Sequence, residues 1–161
     1  MTPRHRRPAA AALRESGPPR ASGPRTVAVR DEMQIPIACS QDIIVARQRG
    51  RALAQELGFS SSDLTLIATI ISELTRNILN YAGRGTLVLG VLERDRRRGI
   101  AVVARDHGPG IPDVARALEI GYSTSGSLGL GLPGVRRLMD EFEIDSCAGR
   151  GTTVTARKWI P

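Results

Sequence analysis

Apolar residues recur at helical spacing in two adjacent stretches of the chain. The first stretch follows Ser40, a good N-cap, and stops at Gly58, so it predicts a helix over residues 41–57. A second helix is predicted to start at Ser61 or Ser62 and to run to about Tyr81. Its apolar face consists of Leu64, Ile67, Ile70, Ile71, Leu74 and Ile78.

Alternating or β-branched apolar runs predict strands elsewhere in the chain. Two strands flank the charged loop 95–99 and two flank the turn 148–151, so each pair is predicted to form an antiparallel hairpin, while Pro36 places the first strand at a sheet edge. The predicted strands cover residues 34–38, 86–92, 100–105, 142–147 and 152–159, and two further helical segments cover about 113–120 and 130–141. Helices on one face of a mostly antiparallel sheet make an α+β fold, a two-layer α/β sandwich.

Length and composition narrow the class of protein. A chain of 161 residues suits one domain, and no run approaches the roughly 18 to 20 apolar residues of a membrane-spanning helix. Cys39 and Cys147 are too far apart for a close-spaced metal knuckle and too few for a disulfide framework. A reducing cytoplasm is the location that this cysteine usage favours.

The positive charge of the chain is concentrated at its start. Residues 1–30 hold seven arginines and one glutamate, and so carry +6 of the formal net charge of +7. Because this segment also contains five prolines, we predict a disordered basic tail over residues 1–31 and a folded domain over residues 32–161. The tail could attach nonspecifically to anions, dock a partner, or precede a true start at Met33. We expect this tail neither to bind a specific nucleic acid nor to act as a secretion signal.

Two polar residues fall on the apolar face of the second predicted helix. At 100° per residue, Asn77 lies only about 40° from Glu73, and Ile70 lies about 60° from it. Burying an unpaired carboxylate or amide costs several kcal/mol, so the pair needs strong partners, such as a hydrated cation or a ligand. Considered alone, the two residues are better explained by a hydrogen-bonded polar pair at the edge of the stripe.

Glycine-rich segments follow the third predicted strand and precede the fourth predicted helix. In the sequence DHGPG, Asp106 could accept a hydrogen bond from an exocyclic amine while Gly108 and Gly110 let the backbone approach a flat ring, although an Asp-led turn looks the same. The stretch 126–134 runs into a helix, where free backbone amides favour phosphate, although a flexible loop is the plainer interpretation. It is neither a GxxxxGK[ST] loop nor a dinucleotide fingerprint. A fourth motif, 149–153, alone indicates only a tight turn.

These four motifs, in this order and at these spacings, resemble the GHKL or Bergerat-fold ATPase and kinase superfamily over about residues 33–159. Within it the sequence is similar to serine kinases of the RsbT type, which belong to a stress-response partner-switching module. The matching text is SELTRNILNYAGRGT, DHGPGIPD, GYSTSGSLGLGLPGVRRLMDEF and AGRGTTVTARKW. The basic tail departs from such kinases.

The resemblance implies a Bergerat fold and a site for ATP and Mg²⁺. Glu73 is implied to be the general base, Asn77 the Mg²⁺ ligand and Asp106 the partner of the adenine amine, with residues 121–128 forming a short lid. The implied nucleotide-binding residues are Asn77, Asp106, Gly108, Gly110, Ile111, Ser125, Gly126, Leu128, Gly129, Leu130, Gly131, Leu132, Gly134, Thr152 and Thr153.

The resemblance also implies partners. The substrate would be a serine on a STAS-domain antagonist protein, and the released kinase would activate a PP2C-family phosphatase. Two alternatives use the same ATP site: an anti-sigma factor kinase that binds a sigma factor directly, and a noncatalytic ATP-dependent docking module. Histidine autophosphorylation is not expected, because His5 and His107 are the only histidines and neither lies on a helical hairpin. The length leaves no room for the second domain of topoisomerase or chaperone relatives.

Overall fold

Five antiparallel strands form one sheet in the computed structural model, which describes residues 27–119 and 130–161. Within those residues, helices pack against one face of the sheet, whose strand order is β1-β2-β3-β5-β4. The predicted α+β two-layer sandwich is therefore confirmed. The elements are β1 (Ala28–Ile37), α1 (Ser40–Leu57), α2 (Ser61–Ala82), β2 (Gly85–Arg94), β3 (Arg97–Asp106), α3 (Val114–Ala117), α4 (Gly131–Leu138), β4 (Glu141–Cys147) and β5 (Gly151–Trp159).

Strand β1 begins earlier than the sequence pattern indicates. It starts at Ala28, six residues before the predicted strand and four before the predicted domain boundary at residue 32, and it lies at the sheet edge as Pro36 predicted. A β-bulge between Arg30 and Met33, with Asp31 at φ 51°, inserts one extra residue opposite β2 and hides the alternation. Residues 1–26 lie outside the described residues.

The other strand and helix limits differ by smaller amounts. The β2–β3 turn uses only Asp95 and Arg96, both at positive φ, so the two strands extend into the predicted charged loop. Helix α4 ends at Leu138 rather than at residue 141, because Met139 already has extended backbone and β4 starts at Glu141. Cys39 precedes α1 and Ser60 caps α2, each one residue before the predicted cap.

Cross-strand register assigns each strand residue to one of the two sheet faces. On β3, Ile100, Val102 and Ala104 are at most 4% exposed and belong to the core beneath the helices. Asp106 follows them at the same alternation, so it lies on the helix-covered face. The opposite face carries a smaller apolar cluster that includes Leu92 and Trp159. No helix in residues 27–119 or 130–161 is long and apolar enough to cross a membrane.

Candidate functional site

The carboxylate of Glu73 lies at the junction of α2 and α4. Glu73 is 6% exposed, as the apolar stripe predicted. Its Oε1 accepts a hydrogen bond from Arg76 Nη1 at 2.6 Å, and its Oε2 accepts one from the backbone N–H of Gly131 at 3.4 Å. Gly131 is the first residue of α4, so the buried carboxylate faces the start of the glycine-rich helix.

Asn77 follows Glu73 by one turn of α2 and is half-buried. Its side-chain amide makes no hydrogen bond to residues 27–119 or 130–161, so its carbonyl oxygen is available to a ligand. Asn77 therefore offers an amide oxygen, a hard donor suited to Mg²⁺, one helical turn from the Glu73 carboxylate. A Mg²⁺ site of this kind uses few protein ligands and draws the rest from phosphate and water. The donor chemistry fits the implied ion.

Asp106 ends β3 at the edge of the helix-covered face. Its Oδ1 accepts the backbone N–H of Gly108 at 2.9 Å, which turns the chain sharply after the strand. A Cβ on Gly108 would lie 2.7 Å from the Cβ of Ala82, so this loop passes against the end of α2. Gly110 has φ +75°, and a Cβ there would overlap the carbonyl oxygen of Cys147. The glycines of the DHGPG motif were predicted to let the backbone approach a ligand, and they also let this loop lie close to other parts of the protein.

The β4–β5 hairpin holds the DHGPG loop in place. The N–H of Gly149 donates to the carbonyl oxygen of Pro109 at 2.8 Å, and the N–H of Ile111 donates to Ser146 Oγ at 2.8 Å. Ser146 Oγ also lies 2.8 Å from Thr152 Oγ1. Sequence reasoning missed Ser146, although it is the polar residue at a position where the alternation of β4 places a core-facing side chain.

Register separates the two threonines predicted to bind nucleotide. Thr152 pairs directly with Asp106 and shares its helix-covered face. Thr153 pairs with Arg105 and lies on the opposite face. The structure therefore brings Asp106 and Thr152 together but does not bring Thr153 to them.

Only part of the predicted phosphate-binding segment falls in the described residues. Leu130, Gly131, Leu132 and Gly134 form the start of α4, where Gly131 has φ +61°. A Cβ on Gly134 would lie 2.6 Å from Leu130 Cβ, which shows how tightly this first turn is wound. Ser125, Gly126, Leu128, Gly129 and the predicted lid at 121–128 lie outside the described residues.

Comparison with known proteins agrees with this arrangement. Residues 38–158 match the family model of the histidine kinase-like ATPase domain. The chain is 48% identical over 132 residues to the serine/threonine-protein kinase RsbT of Bacillus subtilis (strain 168), which covers 82% of this chain and 99% of the relative. It is 30% identical over 140 residues to an anti-sigma F factor of Bacillus licheniformis, covering 82% of this chain and 94% of the relative.

A solved structure shares the fold. The crystal structure of the RsbU and RsbW domains of a Mycobacterium tuberculosis protein matches with a TM-score of 0.52 and 22% identity. The match covers 81% of this chain and 33% of that one, so the chain spans about a third of that structure.

Proposed function

Because the chain belongs to the histidine kinase-like ATPase domain family, as the GHKL resemblance predicted, we propose that it is a Mg-ATP-dependent protein-serine kinase of a partner-switching pathway. The name of the relative at 48% identity supports the kinase class. The observation that carries the proposal is the position of Glu73, a buried carboxylate that contacts the first amide of the glycine-rich helix α4. That position suits a general base beside a bound phosphate.

This position of Glu73 supports the following reaction. The serine hydroxyl of the substrate gives its proton to the Glu73 carboxylate while its oxygen bonds to the γ-phosphorus of ATP. The bond from that phosphorus to the bridging oxygen breaks, and ADP leaves with the electron pair. Asn77 would hold Mg²⁺, and the ion when bound would neutralise part of the phosphate charge.

The remaining motifs bind the nucleotide. Asp106 accepts the adenine amine through the oxygen that Gly108 does not occupy, and Thr152 lies beside it on the same sheet face. The backbone amides at the start of α4 bind phosphate, since a helix start favours negative charge. Ser146 fixes the loop that carries Asp106 by holding the N–H of Ile111.

We assign as substrate a serine on a STAS-domain antagonist protein, and as a later partner a PP2C-family phosphatase. The anti-sigma F factor relatives at about 30% identity support the second candidate, an anti-sigma factor kinase that binds a sigma factor directly. The RsbT relative is more similar, at 48%, which favours the antagonist kinase. Cytoplasmic location stays a prediction.

The deciding experiment measures transfer of labelled phosphate from Mg-ATP to a purified STAS-domain antagonist. We expect Glu73→Gln to retain ATP binding but to lower kcat by about 10²–10⁴, because a positioned base contributes that factor. Asp106→Asn should instead weaken ATP binding, and Glu56→Gln on the exposed surface of α1 should match wild type.

Three results would contradict the proposal. A Glu73→Gln variant that transfers phosphate at the wild-type rate would show that Glu73 is not the general base. A wild-type protein that binds ATP without transferring phosphate would favour a docking module. The protein could instead bind a sigma factor tightly and transfer no phosphate to the antagonist until that factor is displaced. This result would favour the anti-sigma factor kinase.

A further inference from the structure

The guanidinium group of Arg76 lies against the carboxylate of Glu73. The two residues are three positions apart on α2, so their side chains are neighbours on the helix surface. Nη1 of Arg76 donates to Oε1 of Glu73 at 2.6 Å, the short length of a charge-assisted hydrogen bond. The proposed kinase reaction uses Glu73 as its base and gives this bound cation no role.

The ion pair joins a buried anion to a partly exposed cation. The side chain of Glu73 is 8% exposed, whereas that of Arg76 is 40% exposed and lines a groove between α1 and α2. Removing a carboxylate from water is unfavourable unless a cation or hydrogen bonds compensate its charge. Arg76 therefore supplies the compensating charge from the solvent side, and so allows a charged base to occupy the junction of α2 and α4.

The two carboxylate oxygens of Glu73 are held differently. Oε1 is bound at 2.6 Å by the guanidinium of Arg76, while Oε2 has only a 3.4 Å contact with the backbone N–H of Gly131, the first residue of α4. A hydrogen bond of that length is weak, and a carboxylate oxygen accepts more than one hydrogen bond. Oε2 is therefore the oxygen that is open to a substrate hydroxyl beside the proposed phosphate site. Because the carboxylate is planar, holding Oε1 also sets the direction of Oε2.

We propose that Arg76 is a positioning residue for phosphoryl transfer. It holds Oε1 of Glu73 so that Oε2 faces the start of α4 and takes the proton of the substrate serine. Arg76 thus acts through Glu73 and contacts neither the serine nor the nucleotide. This inference rests on the proposed kinase function and adds a residue to its machinery.

The test measures transfer of labelled phosphate from Mg-ATP to the purified STAS-domain antagonist. We expect Arg76→Ala to lower kcat by about 10- to 100-fold, because misplacing a catalytic group by about 1 Å has an effect of that size. The KM for the antagonist and the calorimetric affinity for ADP should stay at their wild-type values. Arg76→Lys should recover part of kcat, since it keeps the charge but not the planar fork.

A matched control removes the same side chain elsewhere. Arg98 is exposed on β3, at the opposite end of that strand from Asp106, so Arg98→Ala should match wild type. Urea unfolding followed by the fluorescence of Trp159 shows whether each variant is folded at the assay temperature. If Arg76→Ala does not fold, Arg76→Gln takes its place in the same kinetic comparison.

Guanidinium ions provide a readout that a merely structural role would not move. Because Arg76 is partly exposed in the groove, guanidinium at tens of millimolar can enter the vacated position from solvent. It should raise the kcat of Arg76→Ala but not that of Arg98→Ala or Glu73→Gln. In the double variant Glu73→Gln/Arg76→Ala, kcat should equal that of Glu73→Gln alone, because residues that act as a unit have non-additive effects.

The outcomes separate this role from the kinase function itself. A folded Arg76→Ala variant with wild-type kcat would overturn the positioning role and leave the kinase function standing. A higher KM for the antagonist, or weaker ADP binding, at unchanged kcat would also overturn it, because Arg76 would then contact the substrate or the nucleotide. So would a double variant in which the two losses multiply. A wild-type protein that transfers no phosphate would overturn the kinase function and the role of Arg76 with it.

Discussion

Two glycines in the β4–β5 hairpin give a sharp test of how the nucleotide site is built. Gly149 and Gly151 both have positive φ, 77° and 96°. A Cβ on Gly149 would meet nothing within 4 Å. A Cβ on Gly151 would overlap the carbonyl oxygen of Asp106 and lie 2.8 Å from the Cα of His107. Substitution by alanine therefore separates backbone strain from crowding.

The expected magnitudes follow from these surroundings. Either alanine must adopt a left-handed conformation, which costs about 1–2 kcal/mol. Only Gly151→Ala also pushes against backbone atoms of β3, a central strand that is paired on both sides, and such overpacking adds about 1–3 kcal/mol. We therefore expect Gly149→Ala to lower the free energy of unfolding by about 1–2 kcal/mol and Gly151→Ala by about 2–5 kcal/mol.

Urea unfolding followed by tryptophan fluorescence measures both changes. Trp159 is the single tryptophan and is 4% exposed, so its emission reports on loss of the sheet. Gly151→Ala should also weaken ADP binding, because the displaced backbone belongs to Asp106, while Gly149→Ala should not. Equal destabilisation by the two variants, or unchanged ADP affinity in Gly151→Ala, would refute the packing argument.

Two further predictions concern single side chains. Thr152→Val should weaken ADP binding about 3- to 10-fold, because it removes the hydroxyl beside Asp106. Thr153 lies on the other sheet face, so Thr153→Val should bind ADP like wild type. Titration calorimetry of both variants therefore tests the β3–β5 strand register. Burial raises the pKa of Glu141, but hydrogen bonds from Trp159 and Arg94 and the charge of Arg157 outweigh it and hold that pKa below its usual 4.5. The ionised Glu141 therefore stabilises the folded state above pH 4.5, and this stabilisation is lost as the pH falls through the lower pKa of the folded state. We expect the urea midpoint to fall less steeply between pH 7 and pH 3 for Glu141→Gln than for wild type.

The helices and strands of this fold could be predicted wherever apolar residues keep the same spacing along the whole element. Helix α2 keeps its apolar stripe for its whole length, and both hairpins keep their alternation, so each was placed within a few residues. The start of β1 was missed because the bulge at Asp31 shifts the alternation by one residue, and a shifted alternation cannot be told from a loop in sequence. The bulge becomes visible only against the partner strand.

The same limit applies to the candidate site, where some residues can be identified from the local sequence and others cannot. Glu73 could be found because a carboxylate on an apolar helix face conflicts with the local pattern, and Asp106 could be found because glycines follow it. Thr152 and Thr153 could not be ranked, since consecutive residues of a strand differ only in the face that pairing assigns them. Which residues carry the chemistry can thus be predicted from the local sequence, whereas the sheet face on which each strand residue lies depends on strand pairing.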